Sequence, residues 1–213
     1  IIRSTASVRG TLILPADKAI CHRAALLCAL TTGSTELCPW SSAEDCQQTL
    51  TILKRLGVEV SQTSRGITIR GAGLAGLRAP RASLPCGDSG TTMRLACGLL
   101  AGQPFASRLT AGTSLRQRPM RRVVEPLSRM GARIEGRPQR SEVYPPLLVR
   151  GRRPLRGLTY TMPVASAQVK SAILLAGLSA DRPTKVIEPS ATRDHTERLL
   201  KRLGVSLRRR GRV

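Results

Sequence analysis

An apolar stretch closes on the same short signature at three places in this chain: Leu56-Gly57-Val58-Glu59-Val60, Met130-Gly131-Ala132-Arg133-Ile134 and Leu203-Gly204-Val205-Ser206-Leu207. The three glycines stand 74 and 73 residues apart, a period longer than the roughly 20–50 residues of solenoid arrays. One folding unit used three times is the simplest source of so regular a recurrence. Ahead of each glycine the apolar residues follow helical spacing, as in Leu50, Leu53 and Leu56 or Leu199, Leu200 and Leu203, with basic residues between them. That pattern predicts an amphipathic helix ended by a glycine C-cap. Beyond the glycine, Val58-Glu59-Val60 and Val205-Ser206-Leu207 alternate with the period of a half-buried strand.

A second helical pattern lies about 35 residues upstream of each glycine, over Arg23–Leu30, Thr92–Ala101 and Gln168–Leu178, rich in alanine and leucine. Each is preceded by an Arg-Gly pair, an extended segment and a proline: Arg9-Gly10…Pro15, Arg70-Gly71…Pro85 and Arg150-Gly151…Pro163. The unit therefore reads strand, helix, strand, helix, strand, strand. The expected fold is α/β, three βαβαββ units in one domain over 1–213, with units at about 10–70, 71–150 and 151–213. Apolar helices would fill the centre and sheets the outside. The third unit is truncated, because the chain runs from Leu207 into Arg208-Arg209-Arg210-Gly211-Arg212-Val213 where the other two continue into a last strand.

Lysine and arginine total 35 against 13 carboxylates, a formal charge of +22, which attracts polyanions without naming one. Aromatic residues make up only 2% of the chain, so Trp40, Phe105, Tyr144 and Tyr160 offer no stacking platform for single strands, and no specific nucleic-acid partner is expected. The six cysteines, Cys21, Cys28, Cys38, Cys46, Cys86 and Cys97, form no C-x-x-C pair. They read as small buried thiols of a reducing compartment, and neither a metal nor a cofactor is expected. No run of 18 apolar residues and no signal peptide is visible, so no membrane partner is expected either.

The loops before the three apolar helices carry the chemistry. Asp17-Lys18-Ala19-Ile20-Cys21-His22-Arg23 sets two cations at a helix start, where free N–H groups and the helix dipole favour a phosphate. Gly87-Asp88-Ser89-Gly90-Thr91-Thr92 and Val164-Ala165-Ser166-Ala167-Gln168 open the other two helices with small and hydroxyl residues. Taken singly, each loop is an ordinary N-cap. Together with Ser114-Leu115-Arg116-Gln117-Arg118-Pro119-Met120, read as two arginines ahead of a proline-started helix, they imply a ligand with more than one anionic group.

These residues resemble an ordered set of family motifs. Asp17-Lys18-x-Ile20-x-His22-Arg23-Ala24, Ser89-Gly90-Thr91-Thr92-Met93-Arg94-Leu95, Ser114-Leu115-Arg116-x-Arg118-Pro119-Met120, Pro163-Val164-Ala165-Ser166-Ala167-Gln168-Val169-Lys170-Ser171-Ala172 and Arg193-Asp194-His195-Thr196-Glu197 are similar to those of the 5-enolpyruvylshikimate-3-phosphate synthases. The resemblance spans the whole chain but only the first half of that family's usual length. It implies two similar domains of three βαβαββ units each, with the active site between them and the second domain missing here. It also implies transfer of the enolpyruvyl group of phosphoenolpyruvate to the 5-hydroxyl of shikimate 3-phosphate, a step of aromatic amino-acid biosynthesis in the cytoplasm or a plastid.

By resemblance, Lys18, Ala19, Arg23, Ser166 and Gln168 face shikimate 3-phosphate, while Lys18, Gly90, Arg118 and Gln168 face phosphoenolpyruvate. Ala19 stands where the family usually has serine, Asp88 where it has asparagine, and Thr113 where it has an acidic residue. No catalytic residue is assigned in this half, since no convincing couple exists among the 13 carboxylates and the family's acid and base groups come largely from the other domain. His22 and His195 read as packing or capping residues, Arg94 and Arg116 as partners for carboxylates, and Met93, Met120, Met130 and Met162 as core. Two other readings stay open: a domain like that of the related transferase acting on UDP-N-acetylglucosamine, and an inactive fragment that only binds anions.

Overall fold

A computed structural model of the chain describes residues 7, 9–11 and 14–211. The first segment runs α1 (Lys18–Ala29), β1 (Thr32–Leu37), α2 (Glu44–Arg55), β2 (Glu59–Gln62) and β3 (Ile67–Ala72). The second runs β4 (Leu84–Pro85), α3 (Gly90–Ala101), β5 (Ala106–Thr110), a 3-10 turn at Leu115–Gln117, α4 (Arg121–Arg129), β6 (Arg133–Gln139) and β7 (Glu142–Arg150). The third holds β8 (Thr159–Thr161), α5 (Ala167–Gly177), β9 (Lys185–Ile187) and α6 (His195–Arg202).

The three glycines of the repeated signature end α2, α4 and α6. Each takes a left-handed φ, of 85°, 105° and 80° at Gly57, Gly131 and Gly204. In each case the residue after the glycine bonds back to the helix: Val58 N–H to Leu53 O, Ala132 N–H to Leu127 O, Val205 N–H to Leu200 O. The glycine N–H bonds one turn back as well, to Lys54, Ser128 and Lys201. This paired arrangement satisfies helix carbonyls that would otherwise have no partner, and glycine adopts the required φ without a Cβ clash.

β1, β3 and β2 form one antiparallel sheet, registered from Thr32 opposite Ala72 to Leu37 opposite Ile67. A second sheet has the order β4-β5-β7-β6, parallel between β4 and β5 and antiparallel elsewhere. The third is the parallel pair β8-β9. One expected strand is not found and another lies outside the described residues. Val205–Leu207 follow the Gly204 cap but form no strand, because no antiparallel neighbour stands beside them among the described residues as β3 stands beside β2 and β7 beside β6. The extended segment after Gly10 includes Leu12 and Ile13, which lie outside the described residues.

α1, α3 and α5 are the inner helices. Nine of the twelve residues of α1 and ten of the twelve of α3 are buried. α3 and α5 meet backbone to backbone at Gly98, where an added Cβ would sit 2.2 Å from the Ala172 carbonyl oxygen. α2 and α4 bury one stripe each, Leu50, Ile52 and Leu53 or Val123, Val124 and Leu127, against the same core. Met93, Met120, Met130 and Met162 are all buried in that core. Five cysteines are buried, but Cys38 is exposed just beyond β1, with its sulfur directed at Arg65 O, 3.2 Å away. Among the described residues no helix is long and apolar enough to cross a membrane.

Candidate functional site

The N-termini of α1, α3 and α5 are each capped by a side chain from the loop before them. Asp17 accepts from Ile20 N–H at 2.9 Å, Ser89 from Thr92 N–H at 3.2 Å and Ser166 from Val169 N–H at 3.3 Å. Side chains then tie the three ends together. His22 Nδ1 meets Thr49 Oγ1 at 2.7 Å, and Thr49 meets Thr92 Oγ1 at 2.9 Å, linking α1, α2 and α3. Gln168 of α5 donates through Nε2 to Thr91 Oγ1 at 2.9 Å and accepts through Oε1 from Arg94 Nη1 at 3.1 Å. A pocket of about 380 Å³ opens among these ends, lined by Ala19, Arg23, Thr91, Ala167, Gln168, Ala191, Thr192 and Arg193.

Arg23 forms the floor of the pocket. It is 4% exposed, and its Nε donates to Thr196 Oγ1 at 2.9 Å and Ser171 Oγ at 3.2 Å, while Nη1 donates to Ala19 O at 2.8 Å. Its Nη2 reaches Ser171 Oγ and Ala167 O. The guanidinium thus joins α1 to α5 and α6 using neutral acceptors, and burial lowers its pKa. Among the described residues no carboxylate contacts it directly.

Gly90 occupies the first turn of α3 with two cations around it. A Cβ there would lie 2.5 Å from Arg94 Nη1 and 3.5 Å from Arg118 Nη1. Arg94 is half-buried, and its pKa is lowered first by burial and then by the nearby Arg118 charge. Its partners are Gly90 O, Pro119 O and Gln168 Oε1, not the carboxylate that the sequence reading assigns it. Arg116 is corrected likewise, since it donates to Ala111 O. Carboxylates are scarce around these arginines, so backbone carbonyls serve as the acceptors. Arg118 is exposed and donates to Ser114 Oγ at 3.1 Å. It precedes no proline-started helix: Pro119 holds Arg118 extended at ψ 126°, and α4 begins at Arg121.

Lys18 opens α1 outside the pocket lining, its Nζ exposed and paired to Asp45 at 3.1 Å. Ala19 lines the pocket and holds Arg23 through its carbonyl. Ser166 lies beside the pocket with its oxygen accepting from the backbone, which leaves its hydrogen free to donate. Asp88 is exposed, and its Oδ1 accepts from Leu115 N–H at 2.8 Å, a role that an asparagine oxygen fills equally well. His22 is not at the helix start but within α1, 1% exposed, and burial lowers its pKa to about 4. His195 is the first residue of α6.

Two features are given no role in the sequence reading. Arg193 and Thr192 line the pocket, although only a motif match marks Arg193 in the sequence. Lys170, 3% exposed, lies 2.9 Å from Glu188 Oε2 and 2.6 Å from Glu197 Oε1. Glu188 in turn accepts from Thr192 Oγ1. This buried cluster fixes the β9–α6 connection on α5 and so sets the wall that carries Thr192 and Arg193. Only the Pro163–Ala172 motif could have pointed to Lys170, and nothing in the spacing links it to Glu188.

Three helix N-termini and guanidiniums without a carboxylate partner among the described residues meet at a polar pocket in an α/β frame, an arrangement whose chemistry suits small ligands with more than one anionic group. Residues 2–212 match the family model EPSP synthase (3-phosphoshikimate 1-carboxyvinyltransferase), and the chain belongs to that family. It is 50% identical over 212 residues to a 3-phosphoshikimate 1-carboxyvinyltransferase of Alkalilimnicola ehrlichii, covering 99% of this chain and 47% of the relative. The corresponding protein of Geobacillus thermodenitrificans is 50% identical over 201 residues, 94% of this chain and 46% of its own length. An EPSP synthase structure from Acinetobacter baumannii superposes with a TM-score of 0.91 at 42% identity, over 95% of this chain and 45% of that one. The chain spans about half the length of the curated relatives it matches.

Proposed function

We propose that this chain is one half of an enolpyruvyl transferase that moves the enolpyruvyl group of phosphoenolpyruvate to the 5-hydroxyl of shikimate 3-phosphate. The observation that carries the reading is Gly90 between Arg94 and Arg118, neither of which has a carboxylate partner among the described residues. Phosphoenolpyruvate takes this corner, held by Arg118, by the open backbone at Gly90, by Lys18 and by Gln168. Shikimate 3-phosphate takes the pocket, with Lys18, the Ser166 hydroxyl and Gln168 around it, the charge of Arg23 behind it and Ala19 contributing backbone only. Gln168 lies between the two because it already bridges to α3 through Thr91 and Arg94. Binding exchanges the Lys18–Asp45 pair for a substrate anion, a modest loss because that pair is exposed.

The three segments are three copies of one unit within a single domain, the third forming no strand after α6 among the described residues, and a second domain supplies the remaining cations and the acid–base groups. The chain alone then binds shikimate 3-phosphate weakly and turns over little. Calorimetry with shikimate 3-phosphate, and release of inorganic phosphate from phosphoenolpyruvate with and without the second half of a relative, test this. Turnover by the chain alone near that of the two-half protein overturns it. Binding of UDP-N-acetylglucosamine in preference to shikimate 3-phosphate overturns the choice of acceptor.

A further inference from the structure

We propose that the outer edge of β1, with the apolar groove between α1 and α6 beside it, is a docking surface for an extended strand from the second half of the longer protein. The inference rests on the reading of this chain as one half, and its test reads contact rather than turnover.

The other two sheets show what such an edge receives. β4 lies parallel to β5 and β8 parallel to β9, and each runs on into an inner helix. Cys86 N–H donates to Thr110 O and Met162 N–H to Ile187 O, both at 2.9 Å. Alternate residues of these segments point inward: Leu84 and Cys86 are fully buried, Tyr160 and Met162 nearly so. β1 corresponds to β5, because Leu37 faces Ile67 of β3 as Leu109 faces Leu147 of β7. Among the described residues, however, β1 has a neighbour on one side only, β3. Its other edge presents backbone donors and acceptors that an added strand can pair.

The end of α6 is open at the same place. Leu56 and Met130, the last residues of the α2 and α4 stripes, are fully buried, whereas their counterpart Leu203 is 40% exposed. Arg78 N–H donates to Leu56 O and Arg156 N–H to Met130 O, each at 2.8 Å, from the segments that run into β4 and β8. Among the described residues no donor reaches Leu203 O. Gly57 and Gly131 lie under the side chains of Arg78 and Arg152, each 3.0 Å from where a Cβ would stand, but a Cβ on Gly204 would meet nothing within 4 Å. A groove of about 390 Å³ joins this helix end to the β1 edge, lined by Ile20, Ala24, Leu37, Trp40, Leu199 and Leu203.

The segment leading into α1 does not cover this surface. Leu14 stands three residues before the Asp17 cap, as Cys86 stands before Ser89, yet it is 73% exposed. Gly71 and Gly151 press on the ends of α1 and α3, where a Cβ would sit 2.2 Å from Thr31 O or Leu100 O, whereas Gly10 has nothing within 4 Å. Gly10 is also only two residues from Leu12, against 13 from Gly71 to Leu84 and nine from Gly151 to Tyr160, too short a run to cross the α6 end first. A second copy of the chain is opposed by the +22 charge on each. The relatives supply the occupant, since this chain covers only 47% of one of them. The incoming segment donates an N–H to Leu203 O, then runs parallel to β1 with two apolar residues inward, and donates a further N–H to Cys38 O, the counterpart of Thr110 O.

The chain joined to the second half of the Alkalilimnicola ehrlichii relative is compared with the chain alone by hydrogen exchange. Amides of Thr35–Cys38 are expected to exchange at least about 10-fold more slowly in the joined protein, with those flanking Cys86 unchanged. Leu203→photo-leucine, which keeps the side chain's shape, is expected to cross-link on illumination to one extended segment of the second half. Leu203→Asp is expected to return Thr35–Cys38 to the fast exchange of the chain alone. The proposal is overturned if exchange over Thr35–Cys38 is the same in both proteins, or if the photo-leucine captures residues 1–14, a second copy or solvent alone. The cross-link is read on the isosteric variant, so poor folding of Leu203→Asp does not decide the result. A joined protein that forms the cross-link but releases no phosphate from phosphoenolpyruvate sinks the enolpyruvyl-transfer reading and leaves this one; release without the cross-link does the reverse.

Discussion

On the α5–α6 flank of the pocket, Lys170 is buried between Glu188 and Glu197. On the α3 flank, Arg94 and Arg118 crowd Gly90 with only carbonyl, amide and hydroxyl oxygens as acceptors. Both flanks are cationic in sequence, yet they hold their charges in opposite conditions. A buried ammonium between two carboxylates is committed to the fold, because removing any member leaves an uncompensated buried charge. Two adjacent guanidiniums without a counter-ion repel each other and are relieved when an anion arrives. Charge count alone does not tell a candidate site from a structural ion cluster; the missing counter-charge does.

The sharpest way to break this contrast is Lys170→Met, which strands two buried carboxylates. It is expected to cost about 3–5 kcal/mol of stability, read as a fall in thermal or urea midpoint. Adding Glu188→Gln and Glu197→Gln is expected to recover part of the loss. A midpoint unchanged by Lys170→Met would remove the distinction between the flanks.

His22 sharpens the same point through pH. Its buried imidazole titrates near 4, below the unfolded value of about 6.5, so between these values the unfolded chain binds more protons. Stability from this group is full above about pH 6.5 and declines as pH falls towards 4, by up to about 3 kcal/mol at about 1.4 kcal/mol per unit. His22→Asn is expected to flatten urea-unfolding stability across that window. An unchanged slope would show that His22 is not the source.

Arg118→Ala tests the open flank. The side chain is exposed, so stability is expected to move by less than about 0.5 kcal/mol. Phosphoenolpyruvate binding, measured by calorimetry on the chain joined to the second half of a relative, is expected to weaken about 10-fold or more, as for one charge-assisted pair worth ~1.5–3 kcal/mol. Asp88→Asn carries the smallest effect. Removing a negative charge lowers the phosphoenolpyruvate dissociation constant, but by less than about threefold, because the carboxylate is exposed and already bonded to Leu115 N–H. A weaker complex would contradict the repulsion argument.

Local chemistry made much of this molecule legible. The three repeated glycine signatures mark real helix ends because a left-handed residue after an amphipathic helix strongly favours glycine. Asp17, Ser89 and Ser166 were readable as caps for the same local reason. Strand formation was less legible: Val205–Leu207 have the alternation of a strand, but a strand exists only where a neighbour accepts its ladder. Pairing between distant residues was hidden altogether, as with Lys170 and Glu188 or Gln168 and Arg94.

The sequence by itself determined the helices and their caps, the glycines that end them and the family motifs, all set within a few residues of one another. Only the tertiary structure decided which cations are spent inside the fold and which stay open to a ligand. That choice depends on how far each charge is from water and from the nearest carboxylate, and those distances arise when α1, α3, α5 and α6 pack.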